Sequence, residues 1–349
     1  MDRRSFLRNT GLFAITTAAG STFVMACAPS TGNDSADGPE AGPNAKDATF
    51  ITPFQHIINY ADVYVAIQEG FFAEEGLRID VVGGTGTASS VSQVTANQGL
   101  FGKAASVNTC PLIADTGAEI ITVAQGDQRS QYSVASKPDN PLTHPEQWQG
   151  KTIGVISKGG STELLLDAMS VAEGLDPTKV RKVVTGADVG SLEFLNRGEV
   201  DGFITYLGSE TAFKQRNIEL NYLNTDEFAK MPGDSYFVKT ADVESEAEAI
   251  VGFLRGSRRG YHFMEKPENL DRVLSAVGEF NKVEVADEEL AKLKIEAQKT
   301  LCKPANGDYL DVDMPAWESA VELMRKSGIM KDTSRPVKDF VTTQFVEQI

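Results

Sequence analysis

Metal-binding and nucleophile chemistry have little to draw on in this chain. Its 349 residues contain three cysteines and three histidines. His56, His144 and His262 are scattered, and Cys27, Cys110 and Cys302 lie far apart, so no Cys/His spacing suits zinc. No Ser/His/Asp set or acid pair stands out, which leaves no catalytic residue to name and argues against an enzyme. Positive charge is also short: 33 Lys and Arg face 49 Asp and Glu, for a net charge of −16. Nucleic acid and anionic membrane surfaces need clustered cations, so neither is expected as the main partner. An anionic small molecule is still compatible, because one site can be locally positive on an acidic protein. A long apolar run is missing too. Thr10 to Met25 is uncharged, but it is too short and too weakly apolar to span a bilayer.

What the chain has is enough apolar material for a substantial core, at 41% hydrophobic residues, and a length that suits two lobes or one large domain. It also begins with an address. Asp2-Arg3-Arg4-Ser5-Phe6-Leu7-Arg8 is a basic segment ahead of the uncharged stretch, the layout of a cleavable export signal. The paired arginines followed by Phe-Leu resemble a twin-arginine signal; Asp2 stands where that pattern often has Ser, so general secretion stays open. Val24-Met25-Ala26-Cys27 resembles a lipobox, which makes Cys27 the expected lipidation site. Residues 28–47 are mainly Pro, Gly, Ser, Asn, Asp and Ala, without a large apolar side chain, and read as a flexible tether. Anchor, tether and domain in that order imply a cell-membrane location, lipid-anchored on the extracytoplasmic face. Cys110 lies in an apolar stretch and is expected in the core; whether it pairs with Cys302 is open.

Past the tether, strand-like runs alternate with helical periodicity. Phe50 to Thr52 reads as a strand, Val63 to Phe72 as a helix and Leu77 to Val82 as a strand. A Gly-Thr-Gly-Thr turn then leads into a helix near Ser89 or Ser90. Ala104 to Val107 and Glu119 to Gln125 read as further strands. A second cycle runs from Gly150 to Leu223, and the carboxy-terminal third is mostly helical. Such alternation predicts an α/β protein with largely parallel sheets flanked by helices. Gln131 to Ala135 and Tyr236 to Lys239 are β-prone, flank the second cycle and are candidates for crossings between lobes. The expected division is a signal peptide with lipobox over 1–27 and a tether over 28–47. Lobe 1 then takes 48–134 and the helical 238–349, with lobe 2 inserted as 135–237.

Four stretches resemble a large family of solute-binding proteins. They are Tyr64-Val65-Ala66 with Glu69-Gly70-Phe71-Phe72 through Val81, Trp148 to Val155, Leu195 to Gly202, and Trp317 with Gly328-Ile329 and Pro336-Val337. Members of that family serve ABC importers for aliphatic sulfonates, taurine, nitrate and pyrimidine precursors of thiamin. The resemblance, over roughly 48–345, implies a two-lobed, periplasmic-binding-protein-like (type II) fold that closes on ligand. It also implies an ABC permease and its ATPase as partners, a small-molecule ligand and no cofactor. Thiamin-pyrimidine synthases share the fold but use pyridoxal phosphate and a cysteine-rich motif that this chain lacks. A ligand-binding sensor module is the other alternative.

Ligands of open parallel sheets bind beyond the carboxyl ends of strands, where loops meet helix N-termini. Four segments are expected there. The family uses the first, Thr52 to Tyr60, against its ligands, which makes Gln55, His56 and Tyr60 candidates. The second, Gly84 to Ser90, offers Thr85, Thr87 and Ser89 beside a helix N-terminus. The third, Ser157 to Thr162, offers Lys158, Ser161 and Thr162. The fourth, Thr205 to Glu210, offers Tyr206 to stack on a flat ring and Glu210 to accept hydrogen bonds from an aminopyrimidine. Ser106 and Asn108 are expected at the floor. The four segments hold one Lys and no Arg, which favours a planar nitrogen heterocycle over a sulfonate-, nitrate- or taurine-like anion.

Overall fold

A computed structural model describes residues 41–186 and 189–349, apart from the side chain of Val189. The expected signal segment, Cys27 and the expected tether up to residue 40 lie outside the described residues. Within them, no helix is long and apolar enough to cross a membrane.

Among the described residues, twelve strands form two five-stranded sheets and one short ribbon. In chain order they are β1 (Lys46–Ile51), β2 (Phe54–Gln55), β3 (Leu77–Val82), β4 (Gly84–Thr85), β5 (Phe101–Ala105) and β6 (Ile120–Gln125). The remaining six are β7 (Tyr132–Ser136), β8 (Thr152–Val155), β9 (Arg181–Val184), β10 (Gly202–Tyr206), β11 (Asn221–Asn224) and β12 (Asp234–Lys239). The first sheet has the order β3-β1-β5-β12-β6 and the second β11-β7-β10-β8-β9, while β2 and β4 pair with each other. In each large sheet four strands run one way and one runs against them: β12 between β5 and β6, and β7 between β10 and β11. These two strands are the segments read as crossings. The chain leaves the first sheet into β7, builds the second sheet and returns along β12. The divisions drawn at 134/135 and 237/238 fall inside these strands, and β1 opens at Lys46, two residues before 48.

Burial explains the strand sequences. β3, on the sheet edge, alternates buried Leu77, Ile79 and Val81 with exposed positions, whereas β5 is buried along its whole length. Two local readings are corrected. The helix expected over Val63 to Phe72 is two helices, Ala61–Gln68 and Phe71–Glu74, because Gly70 between them takes a left-handed φ of 75°. The strand expected over Ala104 to Val107 stops at Ala105, and Ser106 begins the helix Ser106–Thr116.

Helices cover both faces of the first sheet. On one, Phe253 from the helix Ala247–Met264 stacks on Phe101 at 3.9 Å and on Phe72 at 5.3 Å. On the other, the helix Met314–Lys326 buries Trp317, whose indole N–H donates to Gln125 Oε1 at 3.1 Å. Cys110 and Cys302 are both buried and unpaired.

The segments joining the sheets run against each other. Asp127 N–H donates to Asp234 O at 2.8 Å, and Gly233 N–H to Asp127 O at 3.1 Å. A Cβ on Gly233 would lie 2.6 Å from Arg129 O, so this close passage requires glycine. The crossing brings Gln131, Tyr132 and Asp234 to one place.

Candidate functional site

Between the two sheets lies a cleft of about 390 Å³. Its first wall comes from the loop after β1, with Phe54, Ile57 and Tyr60, and from Thr87, Ala88 and Asn108. The opposite wall is the turn Ile156 to Thr162 together with Tyr206. Gln131, Tyr132 and Asp234 on the crossing strands also line it.

Four helices begin at this cleft: Thr87–Thr95, Ser106–Thr116, Ser161–Ala172 and Leu207–Gln215. Their N-cap residues are Gly86, Ala105, Gly160 and Tyr206, none of which caps its helix with a side chain. Backbone N–H groups at such ends favour electron-rich ligand atoms. Glycine shapes the walls at two points. A Cβ on Gly84 would come 1.9 Å from Thr52 O, so the loop after β1 can lie against β4 only as it is. A Cβ on Gly208 would come 2.6 Å from the Tyr206 ring, which therefore covers bare backbone.

Seven of the thirteen ligand-site residues expected from sequence line the cleft: Tyr60, Thr87, Asn108, Lys158, Ser161, Thr162 and Tyr206. Thr162 Oγ1 accepts from Ile156 N–H at 3.1 Å and so holds the turn, while Ser161 Oγ donates to Asn108 Oδ1 across the cleft. The other six are not among the lining residues. Gln55 is exposed in β2 with a φ of 39°. The His56 ring faces Tyr64 and Phe280, with Nδ1 3.3 Å from Tyr64 Oη, and burial lowers its pKa although Asp80 opposes this. Thr85 is exposed in β4, and Ser89 Oγ accepts from Gln93. Ser106 Oγ donates to Pro232 O at 2.7 Å, which ties the start of its helix to the returning segment. Glu210, read as the acceptor for an aminopyrimidine, ion-pairs with Lys214 on its own helix.

The acid in the cleft is Asp234 instead, 9% exposed. Gln131 Nε2 donates to its Oδ2 over a long 3.4 Å, and Gln131 Oε1 accepts from Asn59 at 3.1 Å. Behind this floor lies Lys103, fully buried, 3.8 Å from Asp127 Oδ1 and 5.6 Å from the Tyr60 ring centre. Asp127 Oδ1 also accepts from Gln298 at 3.0 Å. Burial works against the charge on Lys103, but Asp127, Asp62 and Asp234 outweigh it and raise its pKa. Burial, then the charge of Asp127, push the Asp234 carboxyl up to about 7, with Lys103 opposing. Burial likewise pushes the Tyr60 and Tyr132 phenols well up, so both stay neutral donors.

Gln131, Tyr132 and Asp234 escaped the sequence reading because they are not in strand-to-helix turns. A signal was nevertheless present: segments that cross between two lobes must pass the base of the cleft. Among the described residues no group of His, Cys, Asp and Glu is arranged to hold a metal ion.

A sequence profile described as NMT1/THI5 like matches residues 57–269. The formylaminopyrimidine-binding protein of Halalkalibacterium halodurans is 26% identical over 280 residues, 74% of this chain and 78% of that protein. The riboflavin-binding protein RibY of Chloroflexus aurantiacus is 25% identical over 333 residues, 91% of each chain. Among solved structures, the periplasmic aliphatic sulphonate-binding protein SsuA of Escherichia coli superposes with a TM-score of 0.65 at 10% identity. That match covers 86% of this chain and 93% of SsuA.

Proposed function

The chain belongs to the NMT1/THI5-like family, and from that premise we propose that it is the lipid-anchored substrate-binding protein of an ABC-type importer. Its cleft captures a planar nitrogen heterocycle of the aminopyrimidine or flavin kind and delivers it to a permease. The observation that carries this reading is the cleft's mixed chemistry. Three tyrosines, Tyr60, Tyr132 and Tyr206, supply flat apolar and donor surface, four helix N-termini favour ring acceptors, and Asp234 with Gln131 suits exocyclic amino or ring N–H groups. The formylaminopyrimidine and riboflavin named for two relatives share that combination of acceptors and donors. The two sheets would close on the ligand about the paired segments 126–131 and 231–234.

The second reading, a sulfonate- or nitrate-like anion, draws on the helix N-termini and on Lys158 at the rim. Asp234 opposes it, since its carboxyl repels an anion when ionised and offers it a single O–H when protonated. A thermal-shift panel of the purified protein with formylaminopyrimidine, riboflavin, taurine, ethanesulfonate and nitrate separates the two. A rise of several degrees with one heterocycle is expected; a rise with the anions alone defeats the heterocycle reading. The anchor is tested separately. Cells expressing the chain should incorporate labelled palmitate into it, and Cys27→Ser should abolish the label; a variant still labelled disproves lipidation at Cys27.

A further inference from the structure

The carboxyl of Asp234 is withdrawn from water, open to the cleft and short of partners. It is 9% exposed, and its Oδ2 receives one long hydrogen bond from Gln131. Its Oδ1 receives none from the described residues, and no ion-pair partner reaches it, because Lys103 sits 3.8 Å from Asp127 instead. A buried polar group left in this state costs free energy that a ligand can recover. Resting on the solute-binding reading, we propose that Asp234 is the specificity-determining residue of the cleft. It would select heterocycles that present a ring nitrogen beside an exocyclic amino group.

The chemistry is a two-point contact. A protonated carboxyl donates its O–H to the ring nitrogen while its carbonyl oxygen accepts from the amino N–H. A sulfonate or nitrate offers acceptors only, so it satisfies the O–H and leaves the carbonyl oxygen facing another oxygen. The surroundings keep the proton available near neutrality, since burial and the charge of Asp127 push Asp234 up to about 7 against the pull of Lys103. Four further groups face this carboxyl: Asp127 after β6, Lys103 on β5, Tyr60 from the loop after β1 and Tyr132 on β7. The two phenols and Lys103 are pushed up and hold their protons through the neutral range. Asp127 is also pushed up by burial, and it remains in every variant below.

Two ligands and two variants test the proposal: formylaminopyrimidine and its analogue lacking the ring amino group, titrated into wild type, Asp234→Leu and Asp234→Asn. Wild type is expected to prefer the amino ligand by about 30-fold, the size of the penalty for leaving a buried carbonyl oxygen unpaired. Asp234→Leu is expected to lose that preference. Asp234→Asn, whose amide can donate to the ring nitrogen and accept from the amino group, is expected to keep most of it. From pH 6.5 to 8.5 the wild-type affinity should fall as Asp234 ionises opposite the ring lone pair, while that of Asp234→Asn stays flat. Should Asp234→Leu fail to fold, the ligand pair on wild type and the pH profile of Asp234→Asn still decide. Equal binding of the two ligands by wild type overturns the proposal, as does an undiminished preference in Asp234→Leu. Binding of ethanesulfonate or nitrate but of neither heterocycle also overturns it, yet leaves solute binding intact; no binding at all defeats both.

Discussion

Lys103 is a fully buried ammonium among acidic neighbours, with Asp127 its ion-pair partner at 3.8 Å. Removing it would leave the buried Asp127 without its cation, a change that typically costs about 3–5 kcal/mol. Lys103→Met is expected to lower the free energy of urea unfolding by that amount, and an unchanged midpoint would mean the pair is not structural. Asp234 affects stability with a definite sign. Its folded pKa is raised, so its contribution is present below the ordinary carboxylate range and is lost as pH rises towards about 7. Asp234→Asn should therefore gain melting temperature relative to wild type between pH 4.5 and 8, measured without ligand; a constant difference would contradict the raised pKa. Single residues were the least legible level of the sequence. Asn108 and Tyr206 could be placed at the cleft from strand-to-helix position, and Tyr60 from the family resemblance. Glu210 could not be excluded, because its pairing with Lys214 one helical turn away competes equally well for the side chain.

Elements were easier to read, since each is set by local patterning and by its neighbour. The helices Ala61–Gln68 and Ala247–Met264 meet so closely that a Cβ on Gly260 would lie 2.0 Å from Asp62 O. Asp62 in turn accepts from Tyr236 at 2.5 Å and Tyr309 at 2.9 Å, which fixes that helix against β12. Gly260→Ala is expected to force the pair apart and cost about 1–3 kcal/mol, read by thermal denaturation; no loss would show that the contact can relax. Strands such as β3 and β6 were evident from apolar runs. The bounds of the helix Leu270–Phe280 were missed within the mostly helical carboxy-terminal third, although Val273, Leu274, Ala276 and Val277 form its buried face. The break at Gly70 was missed as well, since apolar periodicity continues through Phe71 and Phe72 and hides a backbone turn.

At the scale of the whole molecule, the two crossings were legible as β-prone segments flanking the second cycle, but their consequence was not. Bringing Asp127 and Gly233 together depends on pairing between residues about 100 positions apart, which no local pattern encodes. That pairing sets Gln131, Tyr132 and Asp234 in the cleft, and with it the chemistry the ligand meets. The central claim is that this cleft captures one small heterocycle. Calorimetric titration of formylaminopyrimidine and riboflavin into wild type and Ala88→Trp tests it, because Ala88 is exposed at the rim and an indole there obstructs entry without disturbing the core. One ligand molecule per wild-type chain and no binding heat in Ala88→Trp is the predicted result. Equal binding by both proteins, or none by wild type, would contradict it.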